Sequence, residues 1–116
     1  MGSSKEKAPP TYKVRVTENA QQDIDYITGY IAFINHPPLN AIRVGDALFG
    51  TIDRIGKNPL AFSECEEIPT AGKIYRKAVC KSWLIIYRIK ATQVVILGII
   101  NSARKPSRIK KLRRVK

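Results

Sequence analysis

Hydrophobic positions along this chain recur with two different periods. Tyr12, Val14 and Val16 alternate with Lys13 and Arg15, the two-residue period of a half-buried strand. From Ala20 the spacing lengthens. Ala20, Ile24, Ile27, Ile31 and Ile34 stand four, three, four and three residues apart, which lines one face of a helix of about five turns. Thr17 precedes this stripe and suits an N-cap, and Glu18 places a negative charge where the helix dipole favours it. Asn35-His36-Pro37-Pro38 ends the helix, with His36 an ordinary turn residue. A second stripe of Ala41, Val44, Leu48, Ile52 and Ile55 predicts a helix over Leu39–Lys57, stopped by Gly56-Lys57-Asn58-Pro59. Gly45 and Gly50 each weaken that helix by about 1 kcal/mol relative to Ala. Close approach of the neighbouring helix is the simplest reason for both. The short Pro-containing link makes the two helices an antiparallel hairpin.

Residues 60–72 read as an irregular loop carrying Glu64, Glu66 and Glu67. The two-residue period then returns. Lys73–Val79 sets Ile74, Arg76 and Ala78 on one face and Tyr75, Lys77 and Val79 on the other. Trp83–Ile89 sets Trp83, Ile85, Tyr87 and Ile89 against Leu84, Ile86 and Arg88. Val94–Asn101 is apolar on both faces, as a central strand is. The links Cys80–Ser82 and Lys90–Gln93 are hairpin-sized, so these strands form an antiparallel meander. The order is βααβββ. The expected architecture is α+β, a helical hairpin packed on one face of a small, mainly antiparallel sheet. The first strand is expected to join the sheet at an edge of the meander or within it.

Length and composition narrow the picture. A chain of 116 residues with 44% hydrophobic content is one domain with a modest core. Its expected limits are 12–105, after a flexible leader 1–11 that resembles a tag remnant and before a basic C-terminal tail 106–116. No apolar run reaches membrane-span length, and the N-terminus has no secretory hydrophobic region. A cytoplasmic location is therefore expected, with no membrane partner. Cys65 and Cys80 belong to no CxxC pair and the chain has one histidine. That argues against zinc and for two reduced thiols. No metal or cofactor is expected.

Charge changes the picture most. Residues 1–67 carry seven bases against nine acids, a balance of −2, whereas residues 68–116 carry fourteen bases and no acid. The whole net charge of +12 thus sits in the second part. A fold gains nothing from such asymmetry, which costs self-repulsion and suits an anionic partner. Nucleic acid and an acidic protein both answer that description.

The order of elements and several local stretches resemble the RelE/ParE superfamily of type II toxin–antitoxin toxins. Tyr12–Ile24 is similar to that family's opening strand and first helix, and Ile55–Pro59 to the end of its second helix. The most specific stretch is Tyr75-Arg76-Lys77-Ala78-Val79 followed by Trp83-Leu84-Ile85-Ile86-Tyr87-Arg88-Ile89, an aromatic–Arg start and an apolar run ending in Tyr-Arg. Val94–Arg104 is similar to the last strand and its exit. One departure stands out. Many members end that strand with histidine, glycine and arginines, where this chain reads Asn101-Ser102-Ala103-Arg104.

The resemblance implies one of two activities. RelE-like members cleave mRNA on the ribosome, whereas ParE-like members bind and poison DNA gyrase. For cleavage, the candidates are Arg76, Arg88 and Arg104 as phosphate clamps, with Tyr87 or Lys77 in proton transfer. The second half holds neither carboxylate nor histidine to act as a general base, so the ParE-like branch is favoured. A basic nucleic-acid-binding module without toxicity is the third reading, resting on the Arg104–Lys116 tail. The expected partner is an acidic antitoxin in a hetero-oligomer. The residues expected to meet the antitoxin or the target are Arg76, Lys77, Lys81, Arg88, Arg104 and Lys105.

Overall fold

A computed structural model describes residues 12–34, 39–104 and 106–116. Strand β1 (Lys13–Val16) leads into α1 (Glu18–Ile34) and α2 (Leu39–Lys57). A 3-10 turn at Pro59–Ala61 is followed by β2 (Ser63–Glu64), β3 (Tyr75–Cys80), β4 (Trp83–Lys90) and β5 (Gln93–Asn101). The chain ends in α3 (Pro106–Lys110) and a 3-10 turn at Lys111–Arg114. The strands form one sheet in the order β1-β5-β4-β3-β2, antiparallel except for β1, which pairs parallel with β5. The α+β architecture and the hairpin on a mainly antiparallel sheet are as the periodicity indicates. The parallel edge pairing follows from the long helical excursion between β1 and β5, since parallel neighbours need a crossover.

Thr17 is the N-cap that its position suggests. Its Oγ1 accepts a hydrogen bond from Ala20 N at 3.1 Å and donates one to the Ile96 carbonyl at 2.7 Å. The cap therefore also fastens the helix start to the sheet. Ala20, Ile24 and Ile27 are buried with Leu48, Ile52 and Ile55 against Ile85, Tyr87, Val94 and Ile96. At the far end of the hairpin the stripe runs out into solvent, and Ile34 is exposed. The expected turn at Asn35–Pro38, His36 included, lies outside the described residues, as does the leader 1–11. A Cβ on Gly45 would touch Thr28 at 3.5 Å, whereas one on Gly50 would meet nothing within 4 Å. Helix packing thus accounts for Gly45 and not for Gly50.

Two expectations need correction. The stretch 60–72 is not wholly irregular: Ser63 and Glu64 pair with Lys77 and Arg76 and add an edge strand. Two residues are too short to show a period, so nothing in the sequence distinguishes them from loop. The strand expected from Lys73 starts at Tyr75, because Lys73 takes a left-handed φ of 53° and its N–H closes a turn on the Thr70 carbonyl. The basic C-terminal segment folds back on the sheet. Ile109 and Leu112 are buried against Val95, Leu97 and Ile100 on the sheet face opposite the hairpin. Arg15 Nη1 also donates to the Lys116 carbonyl at 3.0 Å. Cys65, Ile68 and Tyr75 extend this second core, so the sheet is covered on both faces. Both cysteines are free and buried, and burial, reinforced by the Glu67 carboxylate, pushes the Cys65 thiol up to about 11.

Strand β5 contains an irregularity that strict alternation misses. Ile86 faces Gly98 while Tyr87 faces Ile96, so Leu97 is an extra residue, a β-bulge. The bulge resets the alternation. Val94, Ile96 and then Ile99 face the hairpin, while Val95, Leu97 and Ile100 face the C-terminal segment. Because both faces of this strand are apolar, the sequence carries no polar marker of the slip.

Candidate functional site

Four of the residues expected to act together lie on the paired strands β3 and β4, with Arg76 opposite Tyr87, but the fold occupies most of their polar groups. Tyr87 is fully buried and its hydroxyl donates to the Pro59 carbonyl. Burial raises its pKa well above the ordinary tyrosine value, and its ring belongs to the core under the hairpin. Arg76 is occupied by the backbone. Its Nε donates to the Lys73 carbonyl at 2.9 Å and its Nη1 to the Phe62 and Leu60 carbonyls at 2.9 and 3.3 Å. Lys77 forms a half-buried ion pair with Glu67 at 3.6 Å. Arg88 lies on the face opposite Tyr87, between Tyr75 and Val95 on the neighbouring strands, and its Nε is buried without a partner. Lys81 is exposed at the tip of the β3–β4 hairpin with φ 55°. Arg104 is exposed past the end of β5, and Lys105 lies outside the described residues. Among the described residues no cluster of His, Cys, Asp or Glu could hold a metal ion. No described helix is long and apolar enough to cross a membrane.

A groove of about 710 Å³ lies where α1, the exit of β5 and the C-terminal segment meet. Its origin is the short β1. That strand covers β5 only from Gln93 to Ile96, leaving Leu97–Asn101 without a strand on that side. Polar residues of α1 complete the bare edge. Asn19 Nδ2 donates to the Leu97 carbonyl at 2.8 Å, and Asp23 Oδ2 accepts from Ile99 N at 2.9 Å. Their approach, with that of Leu112, leaves no room at Gly98. A Cβ there would stand 2.8 Å from Leu112 Cδ2, 3.0 Å from Asn19 Nδ2 and 3.1 Å from Asp23 Oδ2.

Ile27, Ile31, Trp83, Ile99 and Ile100 supply the apolar surface of the groove. Tyr26 and Tyr30 form one wall, their rings stacked with centroids 6.3 Å apart. Arg104, past the end of β5, and Arg108 and Lys111 of the C-terminal segment add positive charge to its lining. Among the described residues, Arg104 is thus the one expected contact residue that lines it. A sequence signal for the aromatic wall does exist. Tyr26, Tyr30 and Phe33 form their own four-and-three series beside the isoleucine stripe, and they are 73%, 56% and 77% exposed. Three large aromatics on the outward side of a helix mark a contact surface more often than a core. The other wall had no such signal, because it requires the C-terminal segment to fold back.

Asp23 is the titratable group built into this edge. Burial raises its pKa above the ordinary aspartate value, against the opposing pull of the Ile99 N–H and of Arg108. The folded state therefore holds the Asp23 proton more tightly than the unfolded chain. This stabilising contribution is complete below about pH 4, the ordinary aspartate range, and is lost as pH rises through the raised value. Asp23→Asn keeps an acceptor for Ile99 N–H and removes the buried charge. It is expected to hold stability at neutral pH within about 1 kcal/mol, whereas Asp23→Ala leaves the amide unpaired and costs about 1–3 kcal/mol. Urea titrations from pH 3 to 8 check both. The Asn variant should also lack the wild-type loss on raising pH through the Asp23 titration.

A bulged, mainly antiparallel sheet under a helical hairpin, with its bases gathered on the sheet and C-terminal side, defines a small basic α+β domain with a groove beside its first helix. Residues 14–106 match the profile of the ParE toxin of the type II toxin–antitoxin system parDE, and the chain belongs to that family. Among solved structures, it is similar to the chromosomal ParDE toxin–antitoxin system of P. aeruginosa. The TM-score is 0.64 at 15% identity, covering 78% of this chain and 96% of the other. It is also similar to the toxin–antitoxin complex RelBE2 of Mycobacterium tuberculosis. There the TM-score is 0.49 at 24% identity, covering 79% and 99%. No curated protein matches the chain at a significant level.

Proposed function

We propose that this toxin arrests growth by binding an essential target such as DNA gyrase, and that an acidic antitoxin neutralises it. The observation that carries the reading is that the fold occupies most of the nuclease candidates. Tyr87 is sealed in the core, Arg76 is bound to three carbonyls, and Lys77 is paired with Glu67. Arg88 and Arg104 remain, at opposite ends of the meander, since Arg88 faces Val95 and Trp83 faces Asn101. Phosphoryl chemistry on an RNA backbone needs several such groups within reach of one phosphate. Docking on a large target needs surface alone, and the exposed aromatic ridge of α1 and the groove beside it provide that.

The antitoxin follows from charge. Fourteen bases without an acid after Glu67 would draw an acidic segment and speed its encounter. Such a segment can fold as it binds.

Inducing the chain alone tests the target, with mRNA integrity in translating extracts read beside gyrase-dependent supercoiling. Loss of supercoiling with intact mRNA is the expected result. Cleavage that Arg88→Ala abolishes, with supercoiling normal, would replace this reading with ribosome-dependent endonuclease activity. Normal growth on induction would remove both.

A further inference from the structure

The stretch matched by the toxin family stops at residue 106, where α3 begins. The C-terminal segment therefore lies beyond it, yet this segment supplies one side of the groove through Arg108, Lys111, Leu112 and Val115. We infer that residues 106–116 are a partner-specificity element, which makes this groove a binding site for an acidic amphipathic segment of the antitoxin. The inference rests on the toxin–antitoxin reading above and adds to it a place on the molecule and a chemistry for the bound segment.

The segment is built to hold charges in place. Ile109 and Leu112 are three residues apart and buried in the second core, while Arg108 and Lys111 have the same spacing and are exposed. One turn of helix thus turns its apolar pair to the sheet and its basic pair to the groove. Arg15 ties down the far end through the Lys116 carbonyl. Basic groups on a docked element lose less entropy on pairing than the same groups on a free tail.

The opposing surface sets the rest of the specificity. Ile27, Ile31, Ile99 and Ile100 are aliphatic and suit the apolar face of a peptide. The one carboxylate lining the groove, Asp23, is engaged by Ile99 N–H. The charge facing an occupant is therefore carried by Arg104, Arg108 and Lys111. A second copy of a chain with net charge +12 is repelled from such a surface. An acidic segment with apolar residues at helical spacing satisfies both the floor and the basic side.

The single tryptophan of the chain, Trp83, lines the groove and reports its occupancy. The test uses the full-length protein and two probes, both read by Trp83 fluorescence. One is a synthetic amphipathic peptide of Leu and Glu, with a Leu and Lys counterpart as control. The other is the product of the short reading frame next to the gene. The acidic peptide is expected to shift Trp83 emission and its lysine counterpart to leave it unchanged. The double variant Arg108→Gln/Lys111→Gln should bind the acidic peptide about tenfold more weakly, and with a shallower salt dependence. Arg43→Gln, an exposed change on α2, should bind as wild type, and circular dichroism should show all variants folded. Equal binding of both peptides, or an unchanged affinity in the double variant, would overturn the inference. So would an antitoxin complex that forms without disturbing Trp83, since the antitoxin then sits elsewhere. Response to the acidic peptide with no antitoxin complex would instead remove the toxin–antitoxin reading and leave the groove as an acidic-peptide site. Equal affinity for a single-stranded RNA oligonucleotide would overturn the choice of peptide.

Discussion

Leu112→Ala is expected to destabilise the protein by about 2–4 kcal/mol, the cost of emptying a buried leucine site. That is a large share of the 5–15 kcal/mol typical of a whole domain. Leu112 is 7% exposed, packs in the second core with Leu97, Ile100 and Ile109, and sits directly over Gly98. For a domain of this size the loss corresponds to a fall in melting midpoint on the order of 10 °C. Arg113→Ala, one residue on and exposed, should change stability by less than about 0.5 kcal/mol. Urea denaturation of the two variants checks the contrast, and equal stabilities would mean that residues 106–116 do not dock on the sheet. The double variant Ile109→Ala/Leu112→Ala refines the result. If the segment lifts off the sheet as a unit once Leu112 is gone, the second substitution adds almost nothing. If it stays docked, the costs accumulate.

The same residues show what a sequence can and cannot display. The stripes of α1 and α2 repeat over several turns, so their period survives local exceptions, and Thr17 announces the start of α1 by its own chemistry. The meander shows through because Trp83, Ile85, Tyr87 and Ile89 alternate with residues that face the second core. The C-terminal segment carries an equally real signal, Ile109 and Leu112 one turn apart, but eight bases in thirteen residues conceal it. Charge density argues for solvation, and two buried contacts outweigh it. The bulge at Leu97 and the two-residue β2 have no signal at all. One lies in a uniformly apolar strand and the other is shorter than any period.

The candidate site was less legible for the same physical reason. Residue type identified Arg76, Tyr87 and Arg88 as able to bind or transfer, but their roles depend on what lies across the sheet. Arg76 and Tyr87 face each other on neighbouring strands, and both point their polar atoms into the 59–62 connection. Their chemistry is spent holding that connection against the sheet. The groove is assembled from α1, the end of β5 and the C-terminal segment, and no pattern along the chain brings those three together. The charge division at Glu67 still marks a division of labour: the near-neutral part builds the hairpin, and the acid-free part carries the basic side of the groove.

Arg76→Ala is expected to cost about 2–4 kcal/mol, because one guanidinium satisfies three carbonyls and a charged donor to a backbone acceptor contributes about 1.5–3 kcal/mol before solvent exposure is discounted. Leu60 and Phe62 lie on the α2–β2 connection and Lys73 in the turn before β3, so a single side chain clasps two separate stretches of backbone. Arg76→Lys should recover less than half of the loss. A lysine ammonium is a point donor and lacks the planar fork that reaches both directions. The prediction bears on any test of toxicity. If Arg76→Ala abolishes growth arrest, the effect follows from loss of folded protein, and a catalytic role is not needed to explain it. Thermal melts settle which applies. Toxicity should track the folded fraction of Arg76→Ala and return when the temperature is lowered. A variant that is fully folded at the assay temperature and still inactive would assign Arg76 a direct part in target binding or catalysis. Arg88→Ala is the cleaner probe of chemistry. Its Nε has no partner to lose among the described residues, so its removal should leave stability within about 1 kcal/mol and expose whatever functional role the residue has.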